Sequence, residues 1–165
     1  MNIFILSGDP YHAAIWQCDA HVVKMVLEST QLLCNCFPED SFQNQYKRTH
    51  YNHPCSIWAR ESIQNYNWLY DHTFHLMHEY NYRYGRVHKC HSVFRNLPDP
   101  SKYIDSFSMT PFALAMPIEF YVFNQDTKGE INAVESYRKY YHHKRESMKL
   151  FRYTNRDVPK WLARI

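Results

Sequence analysis

His21, Lys24 and Glu28 are spaced by three and four residues, so on a helix they share one side. A carboxylate there could act as a general base, an imidazole could carry a proton, and an ammonium could hold a phosphate. A second row, Glu61, Asn65, Trp68, Glu79 and Arg83, keeps helical spacing and adds an indole on which a nucleobase could stack. Taken together, the rows describe a polar pocket between two helices. Glu28, His21 and Glu79 are its candidate catalytic groups, and Lys24, Glu61, Asn65, Trp68 and Arg83 its candidate ligand-binding groups. His53 and His88 complete the binding set, His53 because it stands at a helix start, where free N–H groups attract anions. The same spacing also permits plain i,i+4 ion pairs, Lys24–Glu28 and Glu79–Arg83.

Other chemistries are poorly supplied. His72, His75 and His78 fan over about 120° of a helix and cannot all meet one ion, and HExxH, ExxH and CxxC are absent, so no metal or other cofactor is expected. No GxSxG elbow supports a serine nucleophile. The 5 cysteines are an odd, scattered set that reads as free thiols in a reducing compartment. Cys55, near a helix start, is the one candidate for reactivity. With only 3 glycines the chain contains neither GxGxxG nor GxxxxGK[ST], which excludes the common loop-built nucleotide sites.

The 165 residues are 45% hydrophobic and 21% charged, which fits one compact domain and argues against disorder. A net charge of +3 is far from that of a DNA-coating protein, although 11 histidines could add charge below about pH 6.5. No apolar run approaches about 18 residues, and Met1–Leu6 lacks a basic flank, so a soluble chain without a secretory signal is expected.

The elements that must position these residues are helical. Asp9 can cap a helix with Pro10 at its first position, and no breaker follows until about Cys36. Asn52-His53-Pro54 starts a second helix that runs to Tyr84, with Gly85 as its C-terminal cap. Arg86–Asn96 is predicted as a short helix, Glu119–Phe123 as a short strand, and Glu130–Tyr153 as a third long helix. The expected fold is mainly α: one domain, residues 1–165, with three long helices, a short extended N-terminal segment and a Pro/aromatic-rich loop region.

Two resemblances bear on function. Gly8–His12 (GDPYH) resembles the water-activating motif of uracil-DNA glycosylases, and His53–Ser56 (HPCS) is similar to their DNA-intercalation loop. That resemblance implies Asp9 as the water-activating residue and His53 as part of the loop. The chain lacks the alternating strands of that α/β fold, however, and Asp9-Pro10 reads as a helix start. Asp19–Leu33, Asn52–Ser62, Glu79–His88, Thr110–Pro117 and Tyr137–Tyr141 resemble a family of short, uncharacterised bacteriophage proteins. This implies a viral protein in the host cytoplasm and assigns no activity. The expected function is binding and hydrolysis of a nucleotide or nucleic acid, without a membrane and with homo-oligomerisation left open. The alternatives are a non-catalytic sponge for a host nucleotide signal and a protein–protein antagonist.

Overall fold

The computed structural model describes residues 1–127 and 129–163. Helix starts follow the local chemistry. Helix α1 spans Pro10–Ile15, with Pro10 in its first turn and the Asp9 carboxylate accepting the His12 N–H at 2.9 Å. Helix α2 spans Asp19–Cys34, so the long helix predicted from Tyr11 is interrupted at Trp16–Cys18. The interruption is tertiary in origin: the Cys18 N–H donates to Tyr141 Oη at 2.7 Å and the Asp19 N–H to the Arg152 carbonyl at 2.9 Å. Helix α3 spans Pro54–Glu61 and α4 spans Ile63–Tyr84. Between them Ser62 turns to extended geometry, its hydroxyl caps Asn65 N–H at 3.1 Å, and Ile63 N–H bonds the Ser106 carbonyl. Gly85, at φ 64°, ends α4 in the left-handed conformation its sequence predicts.

Helix α5, His91–Phe94, lies within the short helix predicted after Gly85. The loop region that follows contains 3-10 turns at Pro100–Lys102 and Ile118–Phe120. The strand predicted at Glu119–Phe123 does not form; Phe123 makes one isolated antiparallel bridge to Ile131. Helix α6, Ala133–Ser147, is shorter than predicted at both ends, starting after the Asn132 cap and stopping where Met148 turns extended. A C-terminal arm then leads to the short helix α7, Lys160–Ala163. The fold is mainly α, and among the described residues no helix is long and apolar enough to cross a membrane.

Helix α4 is the hub, packing against α1, α2 and α3. It runs antiparallel to α2: Arg83 near its end meets Asp19 at the start of α2, while Tyr66 near its start packs on Phe37 just beyond the end of α2. The N-terminal segment Ile3–Leu6 threads the core, and Phe4 stacks on His21 with ring centroids 4.3 Å apart. Phe4 has φ 58°, which costs about 1 kcal/mol for a bulky residue; burying the phenyl ring returns about 2 kcal/mol. Tyr137 and Tyr141 of α6 close the core from the far side.

Candidate functional site

The side of α2 that faces inward is not the one that polarity alone would select. Val23 and Leu27 are exposed, with 43% and 38% of their surface open, whereas His21 and Glu28 retain 7% and 9%. Glu28 points to the N-terminal segment: Oε2 accepts the Asn2 N–H at 2.9 Å, and Oε1 lies 3.2 Å from the exposed Lys24 ammonium. His21 Nδ1 bonds Tyr141 Oη at 2.9 Å. That same Oη accepts the Cys18 N–H, so one hydroxyl ties His21 to the start of α2. Burial, with Lys144 and Lys24 nearby, pushes the His21 pKa down to about 4.

Glu79 and Arg83 belong to a different, fully paired cluster. Arg83 Nε donates to Glu79 Oε1 at 2.7 Å, Nη1 to Asp19 Oδ1 at 3.0 Å, and Nη2 to the Ile15 carbonyl at 3.0 Å. Arg156 adds a bidentate grip on Glu79, and Thr154 donates to both oxygens of Asp19. Burial alone would raise the Asp19 pKa, but the Thr154 and Arg83 donors outweigh it and hold the carboxyl below its usual range.

The remaining predicted residues serve as latches. Asn65 is fully buried and clamps the loop: its amide donates to the Trp58 carbonyl and to Thr110 Oγ1, and its carbonyl accepts the Thr110 N–H. Glu61 accepts the Thr110 hydroxyl at 2.9 Å. Trp68 donates to the Gly8 carbonyl at 2.7 Å and stacks on His72, so its ring is a wall of the core. His53 caps α3 by accepting the Cys55 N–H, and His88 accepts the Cys90 N–H; burial lowers both pKa values.

The two rows therefore do not line one pocket. Glu28 is held against the N-terminal segment and Glu79 in the cluster with Arg83 and Arg156, and both are neutralised by partners within the fold. Both i,i+4 ion pairs that the spacing permits are formed. Among the described residues no three His, Cys, Asp or Glu side chains are placed to hold a metal ion. All five thiols are free and buried, and burial pushes the Cys55 pKa up to about 12, which removes it as a nucleophile.

The structure instead opens a cleft of about 1010 Å³ between α1, the end of α4, α6 and the C-terminal arm. Its walls include His12, Trp16, Tyr82, Arg138, Arg156, Lys160 and Trp161, with Asp157 the opposing charge. The Arg138 guanidinium sits 5.4 Å from the Trp16 ring centre and 5.3 Å from that of Trp161. Arg138 Nε donates to the Leu6 carbonyl and Nη1 to Glu135, which fixes the group; Nη2 has no hydrogen bond among the described residues. Arg156 lies over Tyr82 at 4.2 Å while gripping Glu79. Trp161 Nε1 is buried without a hydrogen-bond partner among the described residues.

Arg138 lies on α6 and Trp161 on the short C-terminal helix α7. No local signal joins them to His12 and Trp16, some 120 to 150 residues away. A second, more apolar cavity of about 370 Å³ lies on the other side of α4, against Phe74, His88 and Phe94.

Comparison of the chain with protein-family models, curated proteins and solved structures finds no match. Its class is therefore defined by its own geometry: a mainly α protein with an aromatic, cationic cleft beside a buried ion-pair cluster.

Proposed function

We propose that the protein binds a nucleotide, or a short stretch of nucleic acid, in the cleft walled by α1, α6 and the C-terminal arm, and hydrolyses it. The observation that carries this reading is Arg138, a guanidinium held rigid by two hydrogen bonds and flanked by two indoles. Arg156 and Lys160 add positive charge along the same cleft. Guanidinium and ammonium groups suit phosphate, and aromatic faces suit a base. The cleft volume is of the order required for a small ligand. On this reading the setting is the cytoplasm of an infected host cell, as the resemblance to short phage proteins implies.

A specific observation favours a second reading, sequestration without chemistry: Glu28 and Glu79 are each saturated by partners, so neither is poised to activate water. Incubating the protein with mono-, di- and cyclic nucleotides, then releasing ligand by heat, separates the two. A new product supports hydrolysis, intact ligand supports sequestration, and no retained nucleotide overturns both.

A further inference from the structure

We propose that Asp9 and His12 form the acid–base pair of this cleft and act on a phosphodiester, an inference that rests on the nucleotide-binding reading above. His12 lies on the cleft wall, and its ring centre is 5.2 Å from that of Trp16, the indole beneath Arg138. Its Nδ1 is bonded to Asp9 Oδ2. Asp9 is fixed in turn, because the same oxygen accepts the His12 N–H and Ser7 Oγ accepts the Asp9 N–H at 3.2 Å. A carboxylate on Nδ1 sets the proton there and leaves Nε2 with its lone pair. A base oriented by a carboxylate, on the wall of a cleft that also carries a fixed guanidinium, is the arrangement a proton-transfer step needs.

Neither carboxylate of the two predicted rows offers this. Glu28 and Glu79 are buried and paired, whereas about half of the His12 side chain is open. In the proposed step Nε2 of His12 takes a proton from water as the water oxygen bonds to phosphorus. The bond from phosphorus to the leaving oxygen breaks, and the imidazolium returns its proton to that oxygen. One water is consumed, a phosphomonoester and an alcohol are released, and His12 ends as it began. Arg138 Nη2 would hold a non-bridging oxygen while charge accumulates on it.

The test uses the full chain in buffer containing chelator, with a nucleoside 5′-(p-nitrophenyl phosphate) as chromogenic diester and a dinucleoside phosphate as a second probe. Turnover is read by absorbance and product analysis, and binding by calorimetry. His12→Gln should lower kcat by at least about 100-fold, the lower end for a lost general base, and leave Kd within about three-fold. Asp9→Asn keeps a good helix cap and should also lower kcat with little change in Kd. Circular dichroism of both variants establishes that α1 and the fold are retained. Probe that binds but is not cleaved by the wild type, or cleavage undiminished in His12→Gln, overturns the acid–base pair and leaves the binding reading standing. Absence of binding overturns both.

Discussion

Glu79 and Arg156, 77 residues apart, meet as a bidentate pair, with Nε 2.9 Å from Oε1 and Nη2 2.8 Å from Oε2. The pair docks the C-terminal arm on α4, and that arm supplies the outer wall of the cleft. The stability of the fold and the shape of the cleft therefore share one buried carboxylate.

Glu79→Gln should be among the most damaging single changes. It deprives Arg83, whose side chain is fully buried, of one of its two carboxylates, and it releases the arm. Breaking a buried pair by removing one partner costs about 3–5 kcal/mol, a large part of a typical total of about 5–15 kcal/mol. Lys24→Ala removes an exposed partner of Glu28 and should cost under about 1 kcal/mol. Urea denaturation of the two variants checks the contrast; similar losses would mean that the Glu79 cluster is not what holds the arm.

Acid should begin to destabilise the protein near pH 6.5, well above the carboxylate range. His21 and His72 are both buried, and burial lowers each pKa from 6.5 to about 4. The unfolded chain binds protons more readily at these sites, so their contribution is fully present above about pH 6.5 and lost as pH falls toward 4. Each is worth about 3 kcal/mol across that window. The lowered pKa of Asp19 removes further stability below about pH 4. Urea midpoints at pH 7, 5.5 and 4.5 should fall steeply, and His21→Gln should flatten the acid limb. A midpoint unchanged between pH 7 and 4.5 would contradict the buried, neutral state of both rings.

Tyr141→Phe should cost about 1–3 kcal/mol although it removes only one oxygen. The Cys18 N–H at the break between α1 and α2 would lose its acceptor, and His21 Nδ1 its hydrogen-bond partner. Denaturant unfolding measures the loss, and a neutral substitution would show that the break is held by other contacts.

The thiols should be silent in the folded protein. Cys34 is pushed up to about 11 and Cys55 to about 12, each chiefly by burial, and all five cysteines are buried. A disulfide reagent at pH 8 should label none before denaturation and five after it. Rapid labelling of one thiol in the native state would show a local opening.

The caps were legible because they are local. Asp9-Pro10, His53-Pro54 and Gly85 each act within one turn, and each marks a boundary where its residue type predicts one. The breaks at Trp16–Cys18 and Ser62 were not legible, since their N–H groups are claimed by Tyr141, Arg152 and Ser106. The polar rows on α2 and α4 were legible as rows, because helical spacing alone defines them. Spacing could not tell that Glu28 turns to Asn2 and Glu79 to Arg156. The cleft was invisible for the same reason: its walls come from both ends of the chain.

The most direct test of the cleft is a calorimetric titration of the wild type, Lys160→Ala and Glu28→Gln with nucleoside triphosphates and dinucleoside phosphates at two salt concentrations. Lys160 is exposed on the cleft wall, and Glu28 lies outside it. The wild type should bind with an affinity that falls as salt rises, Lys160→Ala should bind about ten-fold more weakly, and Glu28→Gln should match the wild type. Affinity lost in Glu28→Gln and untouched in Lys160→Ala would contradict the placement of the site.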